Sequence, residues 1–222
     1  MANKQNYQNM LDRMLRDRET YGKKLLLHSC CAPCSSYVLV YLSRYFEITV
    51  LYYNPNITEQ AEYQKRVEEQ KRLIGELNKE REAGEVRYPI HVIEGVYEPE
   101  VFCRLAKGHE EDPEGGERCF SCYAMRLQKT AEIAAQKKFD FFTTTLTISP
   151  LKKADKLNEI GQKLGEGCGV PYLLSDFKKR NGYLTSIELS KKYHLYRQDY
   201  CGCVYSKAER EKQKKERNEE NT

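Results

Sequence analysis

Apolar positions recur along this chain in two rhythms. Short apolar runs bounded by turn-forming residues lie at 23–30, 47–56, 86–95, 140–149 and 170–174, and each has the length of a strand. Between them, apolar residues return every three or four positions, as on one face of a helix. A polar helical entry over 1–22 carries Tyr7, Met10, Leu11, Met14 and Leu15, and Tyr37 to Tyr45 form the apolar body of a helix that Pro33 opens. Tyr63, Val67, Ile74 and Leu77 mark a long helix over 58–82, and a short one follows at 99–107. Phe120, Ala124, Leu127, Ala131 and Ala134 mark a helix over 118–137, with further helices at 152–164 and 185–192. Asn54-Pro55-Asn56 and Pro150 stop the second and fourth strands. Strands alternating with helical crossovers predict a three-layer α/β domain over 23–205, built on a mostly parallel sheet. Ligands of such sheets gather beyond the carboxyl ends of the strands. Residues 206–222 hold six basic and five acidic side chains and almost nothing apolar, which predicts a frayed helix or a disordered tail.

A length of 222 residues agrees with a single domain carrying small appendages. The longest apolar run, Tyr37 to Leu42, is six residues, far short of the roughly 18 that a membrane span needs. The first residues lack the apolar core of a secretory signal, so a reducing cytoplasm is the expected compartment, with no membrane partner. The net charge of +4 is too small to point by itself to nucleic acid.

In a reducing compartment, clustered cysteines bind metal or do redox chemistry more often than they form structural bridges, and this chain has nine. Cys30, Cys31 and Cys34 follow the first strand, and Cys119 and Cys122 open the helix after the acidic loop HEEDPEGGE at 109–117. A helix N-terminus favours thiolates, so two such turns on one sheet edge suit tetrahedral zinc or an iron–sulfur cluster. Taken singly, each Cys-x-x-Cys is equally a structural zinc half-site or a pair of buried small residues. Adjacent cysteines are unusual in zinc knuckles and favour a cluster. Cys201-Gly202-Cys203 is a separate element: a disulfide across one residue is a small strained ring, suited to electron relay, unless both thiols are further metal ligands or inert. Cys103 and Cys168 have no partner at a recognisable spacing. His28 reads as a packed histidine, and His109 stands beside the acidic loop.

The strings LLLHSCCAPCSSY at 25–37, LYYNPNI at 51–57, EGGERCFSCYAMRL at 114–127, TTTLTISP at 143–150 and DFKKRNGYLTSIELSKKYHLYRQDYCGCVYS at 176–206 resemble, in this order, the QueH family of epoxyqueuosine reductases. The resemblance runs from about Asn6 to Ser206. It implies an adenine nucleotide alpha-hydrolase-like (HUP) fold of Rossmann type. It also implies the last step of queuosine biosynthesis, reduction of the epoxide of epoxyqueuosine at the wobble position of a tRNA anticodon. By motif, Cys30, Cys31, Cys119 and Cys122 match the family's [4Fe–4S] ligands, and Cys201 and Cys203 match its redox-active disulfide pair. Cys34 lies in the same motif, which leaves open an additional iron or another division of ligands. An electron donor is implied but not identified.

An anticodon loop offers unstacked bases and phosphates. Lys178, Lys179, Arg180, Lys191, Lys192 and Arg197, interleaved with Tyr183, Tyr193, Tyr196 and Tyr200, are candidates to meet them, unless they form a solvated helix face. Three other readings stand beside the reductase. A thioredoxin-like dithiol oxidoreductase would use Cys31-Ala32-Pro33-Cys34 but leaves Cys30 and the second cysteine turn unexplained. An ATP pyrophosphatase would share the fold, yet Ser29-Cys30-Cys31 stands where its glycine-serine phosphate loop belongs, so ATP is not expected. A zinc-dependent RNA-binding module is separated from the reductase by the identity of the metal.

Overall fold

Four parallel strands, ordered β3-β2-β1-β4, form the centre of the protein in a computed structural model that describes residues 5–81 and 88–220. They are β1 (Lys24–His28), β2 (Glu47–Tyr52), β3 (Ile90–Glu94) and β4 (Phe141–Thr144). Leu25, Leu26 and Leu27 of β1 are fully buried, as expected of a central parallel strand covered on both faces. One face carries α1 (Tyr7–Met14), α2 (Ala32–Leu42), α3 (Gln60–Glu80) and α7 (Gly182–Lys192), whose Leu11, Leu39, Leu73 and Leu189, with Phe177 just before α7, pack against Leu25, Leu27, Ile48 and Val50. The other carries α5 (Glu117–Gln136) and α6 (Ala154–Cys168), which pack Tyr123, Leu127 and Leu157 against Leu26, Leu51 and Phe142. A third cluster joins Phe102 and Ala106 of α4 (Pro99–Ala106) to Cys122 and Cys203, just before α8 (Val204–Glu220). The result is the three-layer parallel α/β architecture that the periodicity predicts. Among the described residues no helix is long and apolar enough to cross a membrane.

Two strands differ from expectation. The fourth stops at Thr144, because the Thr144 hydroxyl accepts the Leu146 amide at 3.1 Å and turns the chain into a 3-10 helix, Thr145–Ile148. The fifth, at 170–174, is reduced to one bridge between Tyr172 and Phe142. Its backbone meets β4 through Phe142 N to Pro171 O at 3.2 Å and Leu173 N to Phe142 O at 2.8 Å, and Pro171 has no N–H with which to extend a ladder. The charged segment from 206 is helical as far as Glu220, and the ends of the third strand and long helix that fall at 82–87 lie outside the described residues.

The strand order places a switch point between β1 and β4. From β1 the chain moves outward to β2 and β3, then returns to the other side of β1. The carboxyl ends of β1 and β4 therefore open a crevice, the usual ligand position in open parallel sheets.

Close packing of α6 depends on two glycines. A Cβ on Gly161 would stand 2.5 Å from the Tyr172 ring, and one on Gly165 would stand 2.8 Å from the Val170 carbonyl oxygen. Gly165→Ala gains helix propensity but meets backbone that no side-chain rotation relieves, and overpacking of this kind costs about 1–3 kcal/mol. Urea unfolding is expected to place Gly165→Ala below the wild type, whereas Gly167→Ala, with open space around it, is expected to be neutral or stabilising.

Candidate active site

Three cysteines meet where β1 ends. Cys31 is the N-cap of α2, in extended backbone, and Pro33 fits the first turn, where its missing N–H is not needed. Cys30 precedes this cap and Cys34 follows one turn into the helix, so the Sγ atoms of Cys30, Cys31 and Cys34 lie within 4.8 Å of one another. Across the crevice, Thr145 Oγ1 accepts the Cys30 amide at 3.3 Å and lies 3.6 Å from its sulfur. The three thiols ionise as a unit. Hydrogen bonds from Cys31 and Cys34 pull the Cys30 thiol well below its ordinary range, while donation to Cys30 pushes Cys31 up to about 12 and also raises Cys34.

The second cysteine turn belongs to α5. Arg118 is buried and shapes the acidic loop by donating from Nη1 to the carbonyls of His109 and Glu110, both at 2.8 Å. Asp112 accepts the Arg118 amide at 3.0 Å and contacts His109 Nδ1 at 3.0 Å, so His109 serves loop structure. The Gly115 amide donates to Cys119 Sγ at 3.2 Å. Cys122, one turn later, is buried, and burial pushes its thiol up to about 11.

Cys119 and Cys122 face Cys201 and Cys203 rather than joining the first three thiols in one compact group. These four cysteines line a small cavity of about 20 Å³ with Arg126, Lys152 and Glu114. Cys30, Cys31 and Cys34 line a neighbouring cleft of about 430 Å³, and Cys201 and Lys152 border both spaces. All nine cysteines are free thiols, and burial raises Cys203 to about 12. Gly202 has φ +118°, and a Cβ there would approach Ile57 at 2.8 Å, so the tight Cys-Gly-Cys turn needs glycine. Cys103 is exposed, and Cys168 Sγ lies 3.8 Å from its own helix at the Gly165 carbonyl.

Several positioning residues escaped the sequence reading. Asn54 donates to the Ser29 carbonyl at 2.8 Å, while Asn56 and Arg66 donate to the Cys201 carbonyl at 3.5 and 3.2 Å. The Asn-Pro-Asn stop after β2 thus links the Cys30 turn to the Cys201 turn. Ser206 accepts the Cys201 amide at 3.0 Å and donates to Glu114 at 3.3 Å, which ties the start of α8 to the acidic loop. Arg126, 1% exposed, donates to the Cys122 carbonyl at 3.3 Å and to Asn54 at 3.5 Å, and its Nη2 has no partner. Burial opposes the charge of both Arg126 and Lys152, but the acidic groups beside them, Cys122, Cys201 and Cys30 around Arg126 and Cys201, Tyr123, Cys30 and Glu114 around Lys152, outweigh it and raise both cations above their ordinary range. Among the described residues neither cation has a carboxylate in ion-pair contact.

In the basic and aromatic run of the C-terminal third, Tyr183, Arg197 and Tyr200 line the cysteine cleft, and several members are paired. Lys192 and Tyr193 bind Glu80 at 3.0 and 2.7 Å, Tyr196 binds Glu62 at 3.1 Å, Arg197 donates to Ser190 at 3.0 Å and Arg180 pairs with Asp12. Lys178 and Lys179 instead border a groove beside the cysteine cleft.

His28 is fully buried under the site, with Nδ1 2.8 Å from Thr144 Oγ1 and Nε2 3.1 Å from the Tyr53 carbonyl. The carbonyl requires Nε2–H, so Nδ1 accepts from the threonine, and one neutral ring ties the ends of β1, β2 and β4 together. Burial, reinforced by Arg126, pulls His28 down to about 3. The unfolded chain takes up a proton below about pH 6.5 that the folded chain refuses, so stability falls as pH drops from there toward 3. Between pH 7 and 5 this single group removes about 2 kcal/mol. Urea unfolding at the two pH values is expected to show that loss in the wild type and a flatter profile in His28→Gln; parallel profiles would contradict the assignment.

The sequence profile described as epoxyqueuosine reductase QueH matches residues 25–209, which span all four strands and all the cysteine turns. An epoxyqueuosine reductase QueH of Staphylococcus epidermidis is 42% identical over 205 residues, covering 90% of this chain and 84% of its own length. The Streptococcus pyogenes serotype M1 protein of the same name is 40% identical, covering 90% and 78%, and that of Thermotoga maritima is 32% identical, covering 84% and 91%. A match of this extent, through every segment that builds the site, makes the chain a member of the epoxyqueuosine reductase QueH family.

Proposed function

We propose that this epoxyqueuosine reductase removes the epoxide oxygen of epoxyqueuosine at the wobble position of a tRNA anticodon. In this reading Cys30, Cys31, Cys119 and Cys122 hold a [4Fe–4S] cluster, and Cys201 and Cys203 act as a redox-active pair. The observation that carries it is the shared position of Cys201, which borders both the three-thiol cleft and the cavity of Cys119 and Cys122.

The donor set suits a thiolate-bound, anionic group. Soft sulfur ligands select iron–sulfur clusters, zinc and copper(I) over hard cations. Buried Arg126 and half-buried Lys152, with no carboxylate in ion-pair contact among the described residues, supply positive charge beside the thiols. Cys34 is the alternative ligand, already within 4.8 Å of Cys30 and Cys31. When bound, an iron–sulfur cluster supplies electrons singly.

The chain's own residues account for the stoichiometry. An epoxide becomes an alkene by taking up two electrons and two protons, and its oxygen leaves as water. Two thiols closing to a disulfide release those two electrons and two protons, so oxidation of Cys201 and Cys203 balances one turnover, and an external donor must reduce the pair again. Gly202 lets the two sulfurs approach, and Asn56 and Arg66 hold the Cys201 carbonyl while the sulfur changes state. Burial raises the Cys203 thiol, and the Ser206 amide, donating to its Sγ at 3.4 Å, offsets part of that rise.

Protein purified without oxygen is expected to contain iron and acid-labile sulfide, with a broad visible band that bleaches on reduction. Zinc alone after attempted iron reconstitution would replace this reading with a structural site in an RNA-binding module. The Cys201→Ser/Cys203→Ser double variant is expected to keep its iron and sulfide and to lose sustained turnover on epoxyqueuosine-containing tRNA, whereas full turnover would remove the relay role.

A further inference from the structure

A groove of about 770 Å³ runs beside the cysteine cleft, between the start of α1, the first turn of α6 and the 176–179 loop. Five lysines line it, Lys152, Lys153, Lys156, Lys178 and Lys179, against three carboxylates, Asp155, Glu159 and Asp176. Two of these carboxylates are already matched. Asp176 lies 3.1 Å from Lys178, and Glu159 lies 3.2 Å from Lys156 and 2.9 Å from Lys163. Lys153 and Lys179 are exposed, and among the described residues neither has a carboxylate within ion-pair distance. The N-terminal end of α6 adds partial positive charge, since its N-cap is Lys153 and no side chain caps it.

The groove also presents an aromatic ring. Phe120, half-buried between Cys119 and Cys122, has the Lys153 and Lys156 ammonium groups 4.9 and 5.7 Å from its ring centroid. A ring flanked by cations offers a base a stacking surface and its neighbouring phosphates a counter-charge, the combination that single-stranded nucleic acid uses. Lys152 lines the groove, the 430 Å³ cleft and the small cysteine cavity, so a strand lying in the groove passes directly to the sulfur site.

We propose that this groove binds the sugar–phosphate backbone of the tRNA anticodon loop, with Lys153 and Lys179 on phosphates and Phe120 stacked on a base next to the one that enters the cysteine cleft. The assignment rests on the reading of the substrate as epoxyqueuosine in tRNA. On binding, Lys153 exchanges its contact with the Phe120 ring for a phosphate, which frees the ring face. Lys192 and Arg180 are engaged elsewhere, while Arg197 lines the cysteine cleft itself.

The test measures binding and reduction of tRNA carrying epoxyqueuosine over a range of salt concentrations. It compares the wild type with Lys153→Glu/Lys179→Glu, with Phe120→Leu, and with Lys24→Glu/Lys137→Glu. The last pair makes the same charge change on exposed lysines at the opposite, amino-terminal edge of the sheet. Loss of two phosphate contacts is expected to flatten the slope of log affinity against log salt by about 1.5 and to raise KM about tenfold or more at low salt, with a much smaller change in kcat. Phe120→Leu is expected to weaken binding about tenfold with the slope unchanged. The Lys24/Lys137 variant is expected to behave as the wild type. Unaltered Kd, KM and slope in the groove variant, or an equal loss in the Lys24/Lys137 variant, would overturn the assignment. A wild type that binds this RNA with a groove-dependent slope but never reduces it would overturn the reaction proposed above while supporting the groove.

Discussion

A buried arginine, Arg126, and a half-buried lysine, Lys152, stand at the centre of this site with no carboxylate in ion-pair contact among the described residues. An isolated buried charge is among the costliest groups a fold can carry, and Arg126 at 1% exposure still has an unpartnered Nη2. The groups arranged around Arg126 and Lys152 are chiefly sulfur and phenol, Cys122, Cys201, Cys30 and Tyr123, with Glu114 as a further influence on Lys152. Seven cysteines from three separate turns collect around these two cations on one edge of the sheet.

The sheet makes that convergence possible. In the order β3-β2-β1-β4, the chain leaves β1 in one direction and returns on its other side, so the β1 and β4 ends lie beside each other with nothing crossing between them. His28 locks those two ends and the end of β2 through its two ring nitrogens. Just beyond, Asn54 holds the Cys30 turn and Asn56 the Cys201 turn, so the Asn-Pro-Asn segment spans the whole site. The layers on either side, one with α2, α3 and α7 and the other with α5 and α6, keep this edge rigid.

Much of this was legible along the chain. The apolar periods located α1 to α7, whereas the charged α8, almost without apolar residues, was expected only as a frayed helix or a disordered tail, and the alternation of strands and helices specified a parallel three-layer domain. The two failures were local: Thr144 turns its strand through its own hydroxyl, and Pro171 removes the donor a fifth strand would need. Both residues were visible, but their effect depends on which neighbour the backbone meets. The cysteine motifs were equally legible, because a strand end followed by a capped helix is a short-range arrangement. Arg126 was not. Its position in an amphipathic helix reads as ordinary surface, and only packing against Asn54 and Cys122 reveals it as a buried counter-charge.

The sequence by itself determined the elements, the turns that carry sulfur and the family to which the chain belongs, since all three follow from residue types at short spacing. Tertiary structure alone decided which thiols share a space. It grouped Cys34 with Cys30 and Cys31, set Cys119 and Cys122 opposite Cys201 and Cys203, and gathered Lys153, Lys179 and Phe120 into one groove while placing Tyr183, Arg197 and Tyr200 along the cysteine cleft. The physical reason is that distances across a sheet edge depend on strand order and register. Those are properties of contacts between residues more than a hundred positions apart, such as His28 and Thr144, and no local spacing encodes them.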